Sequence, residues 1–285
     1  MRGRLSLRVK KNLKWLIPAA AAAGLAAFLA AGLDNELTVR RYTVESGKVT
    51  APVRLAVLSD LHACDYGAGQ GELLDAVAEQ DPDLVLLAGD IVDDRPEMPE
   101  ERALFTVEAL AERWPVYYVT GNHEYRTGRA AEIKTRIAAR GAVVLEGEAA
   151  SVTAASQTLR LCGVDDPKAG EEVWEAQLDR AAAGLDGTHF SILLSHRPER
   201  VEDYMGRGFD LVLSGHAHGG QWRIPGLVNG LAAPNQGLLP RYAGGAYQIG
   251  DATLIVSRGL ARESTRLPRL YNPPELVIVD LAPAP

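Results

Sequence analysis

The stretch Leu55-Ala56-Val57-Leu58-Ser59-Asp60-Leu61-His62 is an apolar run that ends in a carboxylate and an imidazole two residues apart. The pattern returns four more times. Leu84–Ala88 leads into Gly89-Asp90-Ile91-Val92-Asp93, Val116–Thr120 into Gly121-Asn122-His123-Glu124, Ile192–Ser195 into His196, and Leu211–Ser214 into Gly215-His216-Ala217-His218. Among these runs lie segments with apolar positions at three- and four-residue spacing, Glu72–Glu79, Glu100–Arg113, Ala130–Arg140, Glu171–Ala183 and Glu199–Met205, which read as amphipathic helices. Short apolar runs separated by such helices read as buried strands. Further strands are expected at Ala142–Leu145, Leu159–Gly163, Thr253–Val256 and Leu276–Leu281. Strand, loop and helix in alternation predict an α/β domain. In such sheets the loops at the carboxyl ends of strands converge on one edge, so five strand ends would deliver Asp, His and Asn to one place.

Five of the six histidines lie on these loops, and only His189 does not. Packing alone would have to place five imidazoles independently at strand ends. The composition is compatible with a folded enzyme: 47% hydrophobic and 24% charged residues supply one substantial core and exclude disorder for the bulk of the chain. The net charge of −7 is an average over unequal parts. Residues 1–33 carry Arg2, Arg4, Arg8, Lys10, Lys11 and Lys14 with no acid, which leaves 24 basic and 37 acidic side chains, net −13, on residues 34–285. Such a body is unsuited to long nucleic acids, whose binding needs clustered cations. Small anionic substrates remain compatible with it if bound metal supplies local positive charge.

Trp15 to Leu33 contains no charged residue and as a helix would be roughly 28 Å long. The expected organisation is therefore a basic cytoplasmic leader (1–14), a transmembrane signal anchor (15–33), a tether (34–51) and one domain (52–285). Cations before the span, with Asp34 and Glu36 after it, place the N-terminus in the cytoplasm and the domain outside. A secretion signal cleaved near Ala30-Ala31-Gly32 is the rival reading, and a buried soluble helix leaves the six cations unexplained. Cys64 and Cys162 show no framework spacing and read as core residues, although Cys64 stands two residues past His62 and has the chemistry of a soft ligand.

Taken together, Asp60-x-His62, Gly89-Asp90-x-x-Asp93, Gly121-Asn122-His123-Glu124, His196 and Gly215-His216-x-His218 resemble the calcineurin-like metallophosphoesterases, from about Pro52 to about Leu281. The flanks Gly163-Val164-Asp165-Asp166-Pro167, His218-Gly219-Gly220-Gln221 and Val256-Ser257-Arg258-Gly259 resemble the bacterial branch that carries an N-terminal membrane segment. That branch includes enzymes that cleave UDP-2,3-diacylglucosamine. The resemblance implies a two-sheet β-sandwich flanked by helices, a four-layer α-β-β-α fold. It also implies two divalent transition-metal ions, with manganese, iron and zinc all suited to mixed oxygen and nitrogen ligands. Carried over by position, Asp60, His62, Asp90 and His218 would hold one ion and Asp90, Asn122, His196 and His216 the other, with Asp90 bridging. Two dications, two carboxylates and a bridging hydroxide sum to about +1, which suits a phosphodiester or pyrophosphate attacked by that hydroxide.

Further roles follow from the same resemblance. His123 would protonate the leaving oxygen or stabilise the transition state, with Glu124, in place of the family's usual Asp, available to orient its ring. Asp93 reads either as an acceptor behind Asp90 or a metal-bound histidine, or as a solvated turn. Arg258 could meet a phosphate or hold a loop carboxylate, and Trp222 and Arg223 could line a substrate groove or pack on their own loop. A tethered site suggests lipid-linked or cell-envelope substrates. A phosphomonoesterase on the same ligands is the alternative within enzymes, and a catalytically silent membrane scaffold is the alternative outside them.

Overall fold

The computed structural model describes residues 2–262 and 268–284, with side chains from residue 17 onward. Two six-stranded sheets pack face to face. In the first the strand order is Thr38–Ser46, Glu275–Pro283, Val53–Leu58, Leu84–Ala88, Val116–Val119 and Val143–Val144. In the second it is Gly245–Ile249, Ala252–Val256, Leu211–Ser214, Phe190–Leu194, Gln157–Gly163 and Ala149–Ala154. The central strands run parallel, as expected where helices make the crossovers.

The period of two within each apolar run builds the layers. Leu55, Val57, Leu84, Leu86 and Ala88 face inward and meet Leu159, Leu161, Ile192, Leu194, Leu211 and Leu213 of the other sheet. Their alternates Ala56, Leu58, Val85 and Leu87 face outward onto Leu73, Val77, Leu104, Val107, Ile133 and Ile137 of the helices Gly71–Ala78, Glu100–Ala111 and Ala130–Ala139. Cys162, Leu193, Val212 and Leu254 form the equivalent outer face of the second sheet, covered by Trp174, Leu178 and Ala181 of the helix Glu171–Ala183. Both faces of the central strands are thus dry, which is why they read as unbroken apolar runs. The expected layered α/β architecture is the observed one. The helix expected over Glu199–Met205 is a 3-10 turn at Pro198–Arg200 followed by a single turn, Val201–Tyr204.

The stretch 34–51 is not a tether. Thr38–Ser46 pairs parallel with Glu275–Pro283 and forms the edge of the first sheet. Tyr42 and Val44 point into the inter-sheet core while Arg40, Arg41, Thr43 and Glu45 stay outside, so the half-wet strand reads as polar and the folded domain begins at residue 38. Ahead of it, residues 2–32 form one helix. Its end docks on Leu270 and Tyr271: the Leu270 side chain and the Tyr271 ring lie against Gly32, and Tyr271 donates from its backbone to the Gly32 carbonyl (2.6 Å) and from its hydroxyl to the Phe28 carbonyl (2.7 Å). Among the described residues no helix is long and apolar enough to cross a membrane, so the expected span over 15–33 gains no support from the structure. The side chains of the basic leader 1–14 lie outside the described residues.

Candidate metal centre

The carboxyl ends of the parallel strands in both sheets open on one edge of the sandwich, and the loops there are tied together by their backbones. Asp60 donates to the carbonyl of Gly89 (3.0 Å), His62 to that of Asp90 (3.0 Å) and Gly215 to that of His196 (3.2 Å). Asp60, His62, Asp90, His216 and His218 all have φ between 47° and 67°. Non-glycine residues held in this left-handed region cost on the order of 1–3 kcal/mol each and gather where a site dictates side-chain direction. Two glycines permit the close approach. Gly89 has φ 85° with the His196 ring against it, and a Cβ on Gly121 would collide with the Asp90 carboxylate.

Asp60, Asp90 and His196 are fully buried, and His62, Asn122 and His216 nearly so. Among the described residues three groups of ligand-type atoms lie within 4.8 Å of one another: His62 with Asp93 and His123 toward the rim and, as two deeper groups, Asp60 with His62 and His218, and Asp90 with His196 and His216. The deeper two meet at Asp90. Its Oδ2 lies 3.1 Å from His196 Nε2 and 3.8 Å from His62 Nε2, and all three atoms are buried with no hydrogen-bond partner. The other carboxylate oxygen, Oδ1, accepts from the His123 backbone (2.7 Å). The Asn122 amide oxygen and His216 Nδ1 face each other at 2.7 Å, two acceptors that only an amide swap or a shared cation would satisfy. Buried orphan nitrogens and oxygens converging in this way fit divalent cations of intermediate softness.

Second partners fix which ring nitrogen each imidazole presents. His196 donates from Nδ1 to the Ala88 carbonyl (2.7 Å), and His216 Nε2 faces Asn235 Oδ1 (2.9 Å), freeing Nδ1. His62 Nδ1 stands 3.0 Å from Asp93 Oδ2, and Asp93 is buried behind this histidine, not on a solvated turn. The electrostatics record the uncompensated acids. Burial alone would lower His196, but Asp90 and then Asp60 and Asp166 push it up to about 10. His62 is likewise raised against its burial, by Asp93, Asp90 and Asp60. Burial and neighbouring cations hold His216 and His218 well below the ordinary imidazole value, in the neutral form a ligand needs.

His123 sits at the rim with its ring 4.4 Å from that of His62, and its Nδ1 contacts Asp94. Glu124 does not orient it. The fully buried Glu124 carboxylate accepts from the backbones of Gly121 (2.8 Å), Asp90 (3.1 Å), Ile91 (2.8 Å) and Val92 (3.1 Å), and so clamps two site loops together. Arg258 is not turned to the centre either: its Nε donates to Glu275, and its backbone N–H donates to the same carboxylate (3.1 Å). Cys64 is buried and its sulfur accepts from the Arg262 backbone (3.3 Å); none of the candidate ligand groups includes it.

Asp94, Asn235 and Arg197 were not expected at the site. Arg197 pairs with Asp166 and reaches His216 Nε2 at 3.0 Å. Its position directly after His196, and that of Asp166 in the Gly163–Pro167 flank, were the available signals.

Comparison with known proteins agrees with this picture. The calcineurin-like phosphoesterase family matches residues 53–220. The uncharacterized metallophosphoesterase YkuE of Bacillus subtilis is 29% identical over 233 residues, 80% of this chain and 78% of that protein. The phosphodiesterase YaeI of Escherichia coli is 30% identical over 240 residues, 81% of this chain and 83% of that one. Among solved structures, Haemophilus influenzae NAD nucleotidase superposes with a TM-score of 0.48 at 16% identity, over 73% of this chain and 45% of its own. A family match over more than half the sequence, together with a 30%-identical relative spanning most of both chains, shows that the chain belongs to the calcineurin-like phosphoesterase family and is a phosphoester hydrolase.

Proposed function

We propose that the protein hydrolyses a phosphodiester or pyrophosphate bond with two divalent cations, one held by Asp60, His62, Asp90 and His218 and the other by Asp90, Asn122, His196 and His216. The observation that carries this reading is the buried, unpartnered Asp90 Oδ2 between His196 Nε2 and His62 Nε2, which joins the two ligand groups. When bound, such a pair brings the acidity of water from a pKa of ~15.7 toward neutrality and polarises the phosphoryl oxygens. The chain's own residues do the rest. Asp93, the Ala88 carbonyl and Asn235 hold His62, His196 and His216 in the ligating tautomer. His123, at the rim of the centre, is placed to give a proton to the leaving oxygen; burial lowers it below the usual imidazole value, and Asp94 beside its Nδ1 opposes that by steadying the imidazolium that carries the proton. The diester preference is supported by the direction of Arg258, which is turned to Glu275 and away from the centre and so does not balance the extra charge of a monoester there.

The same reading places the catalytic domain outside the cytoplasm on a lipid-linked or cell-envelope substrate, with the N-terminal helix as anchor. Its support is the uncharged run 15–33 behind six cations. Asp90→Ala should lose bound metal and turnover of an aryl phosphodiester together, read by elemental analysis and release of the aryl alcohol. Full activity in that variant would overturn the assignment, and faster turnover of the aryl monoester by the unaltered enzyme would replace the diester reading with the monoester one.

A further inference from the structure

Beside the docking point of the N-terminal helix, two adjoining clefts of about 400 and 320 Å³ share one wall of Arg40, Arg223, Asn229 and Arg258. Among the described residues that line them the only acid is Glu275, so four guanidinium groups, those of Arg40, Arg41, Arg223 and Arg258, stand against one carboxylate and the clefts carry a formal +3 within a body that is net −13. Arg258 is 5% exposed, and with its Nε on Glu275 its Nη2 is buried without a hydrogen-bond partner. Burial and then the neighbouring Arg258 pull Arg223 below its ordinary value, so the like charges repel in the empty cleft. Arg223 itself donates to Asn229 and the Gly219 carbonyl, so the standing donor for an oxyanion is the unpartnered Nη2 of Arg258.

The rim of the cleft is apolar. Leu227 is 83% exposed and Ile224 41%, both lining the cleft, with Trp222 beside them at 39%. Tyr271 closes the other side and packs on Phe28 with ring centroids 4.7 Å apart, which brings the exposed Leu25, Phe28 and Leu29 of the N-terminal helix to the same corner. Cationic pocket and protruding apolar collar together have the chemistry of a bilayer surface, where an anionic headgroup lies immediately above acyl chains.

We infer that this cleft binds the phosphate of an anionic phospholipid headgroup, with Leu227, Ile224 and Trp222 inserted among the acyl chains around it. The site differs from the metal centre in chemistry, and it needs no turnover. Arg223 also contacts the Gly219 carbonyl (3.4 Å), next to His218, so an occupied cleft fixes how the catalytic edge faces the membrane.

The test uses the full chain in nonionic detergent, titrated with dihexanoyl phosphatidylglycerol, its phosphatidylcholine counterpart and inorganic phosphate, and followed by calorimetry. Saturable binding of phosphatidylglycerol is expected, weakened about ten-fold in Arg223→Gln and in the exposed-site variant Arg40→Gln, as for loss of one charge-assisted hydrogen bond. Leu227→Ser should weaken the lipid and leave phosphate unchanged. Arg40→Gln should keep full turnover of a soluble aryl phosphodiester, which ties its effect to lipid and not to misfolding. Equal binding of the two lipids, unaltered affinity in both arginine variants, or phosphate binding as tightly as phosphatidylglycerol would each overturn the inference. Loss of soluble-substrate turnover in Arg40→Gln would overturn it as well and assign the cleft to catalysis.

Discussion

Glu124 is the residue whose replacement reports most directly on how the centre is held. It is fully buried and accepts from four backbone N–H groups, and burial followed by the charge of Asp90 raises its carboxyl from 4.5 to about 7 in the metal-free protein. An acid whose pKa rises on folding takes up a proton as the chain folds. Its protonated form therefore contributes stability that is complete below pH 4.5 and is lost as pH rises through about 7. The interval is about 2.5 pH units, or about 3 kcal/mol at roughly 1.36 kcal/mol per unit.

Glu124→Gln keeps the shape and cannot titrate. Its amide nitrogen must face some of the four N–H donors, a fixed cost of about 1–3 kcal/mol at every pH. Urea unfolding of chelator-treated wild type and variant, from pH 4.5 to about 7, gives two stability curves. Their difference should shrink by about 3 kcal/mol as pH rises, because only the wild type loses this contribution. Adding a divalent cation should flatten the difference, since compensation of Asp90 removes one cause of the shift. A difference that stays constant across this range without metal would refute the reasoning and show that the four N–H donors keep Glu124 charged throughout.

Three other outcomes follow from the geometry. Asp93→Ala removes the partner of His62 Nδ1 and should weaken metal binding about 10- to 100-fold, measured by competition with a chromogenic chelator. His123→Ala should slow turnover roughly 100-fold or more at unchanged metal content, least for substrates with good leaving groups. Because Asp94 acts through His123, adding Asp94→Asn to that variant should slow it no further, a double-mutant test of the pairing.

Much of this was legible in the sequence because the central strands are buried on both faces. Leu55–Leu58 and Leu84–Ala88 need no partner to be recognised, and the polar residues that follow them sit where parallel strands must end. Three of the four edge strands were not legible, Val143–Val144 being the exception. Thr38–Ser46, Ala149–Ala154 and Gly245–Ile249 are half exposed and carry the polar residues of an open edge. Interactions between a site residue and a distant backbone were equally hidden. Glu124 looked like a neighbour of His123, and only the folded position of residues 90–92 shows where its carboxylate goes. Arg258 was undecided between phosphate and carboxylate until Glu275, 17 residues further on, was placed beside it.

The strand Glu275–Pro283 lies between Thr38–Ser46 on one side and Val53–Leu58 on the other. The outermost strand of the first sheet therefore has no partner until residue 275 has been made, well over two hundred residues after Ser46. At about 5–20 residues per second that is roughly ten to fifty seconds of synthesis. During this time Arg40, Arg41 and Glu45 keep a strand-forming segment from pairing with other chains. Assembly of this edge belongs to the end of translation, and a stop between residues 218 and 275 would leave all the ligands encoded but the first sheet unable to close.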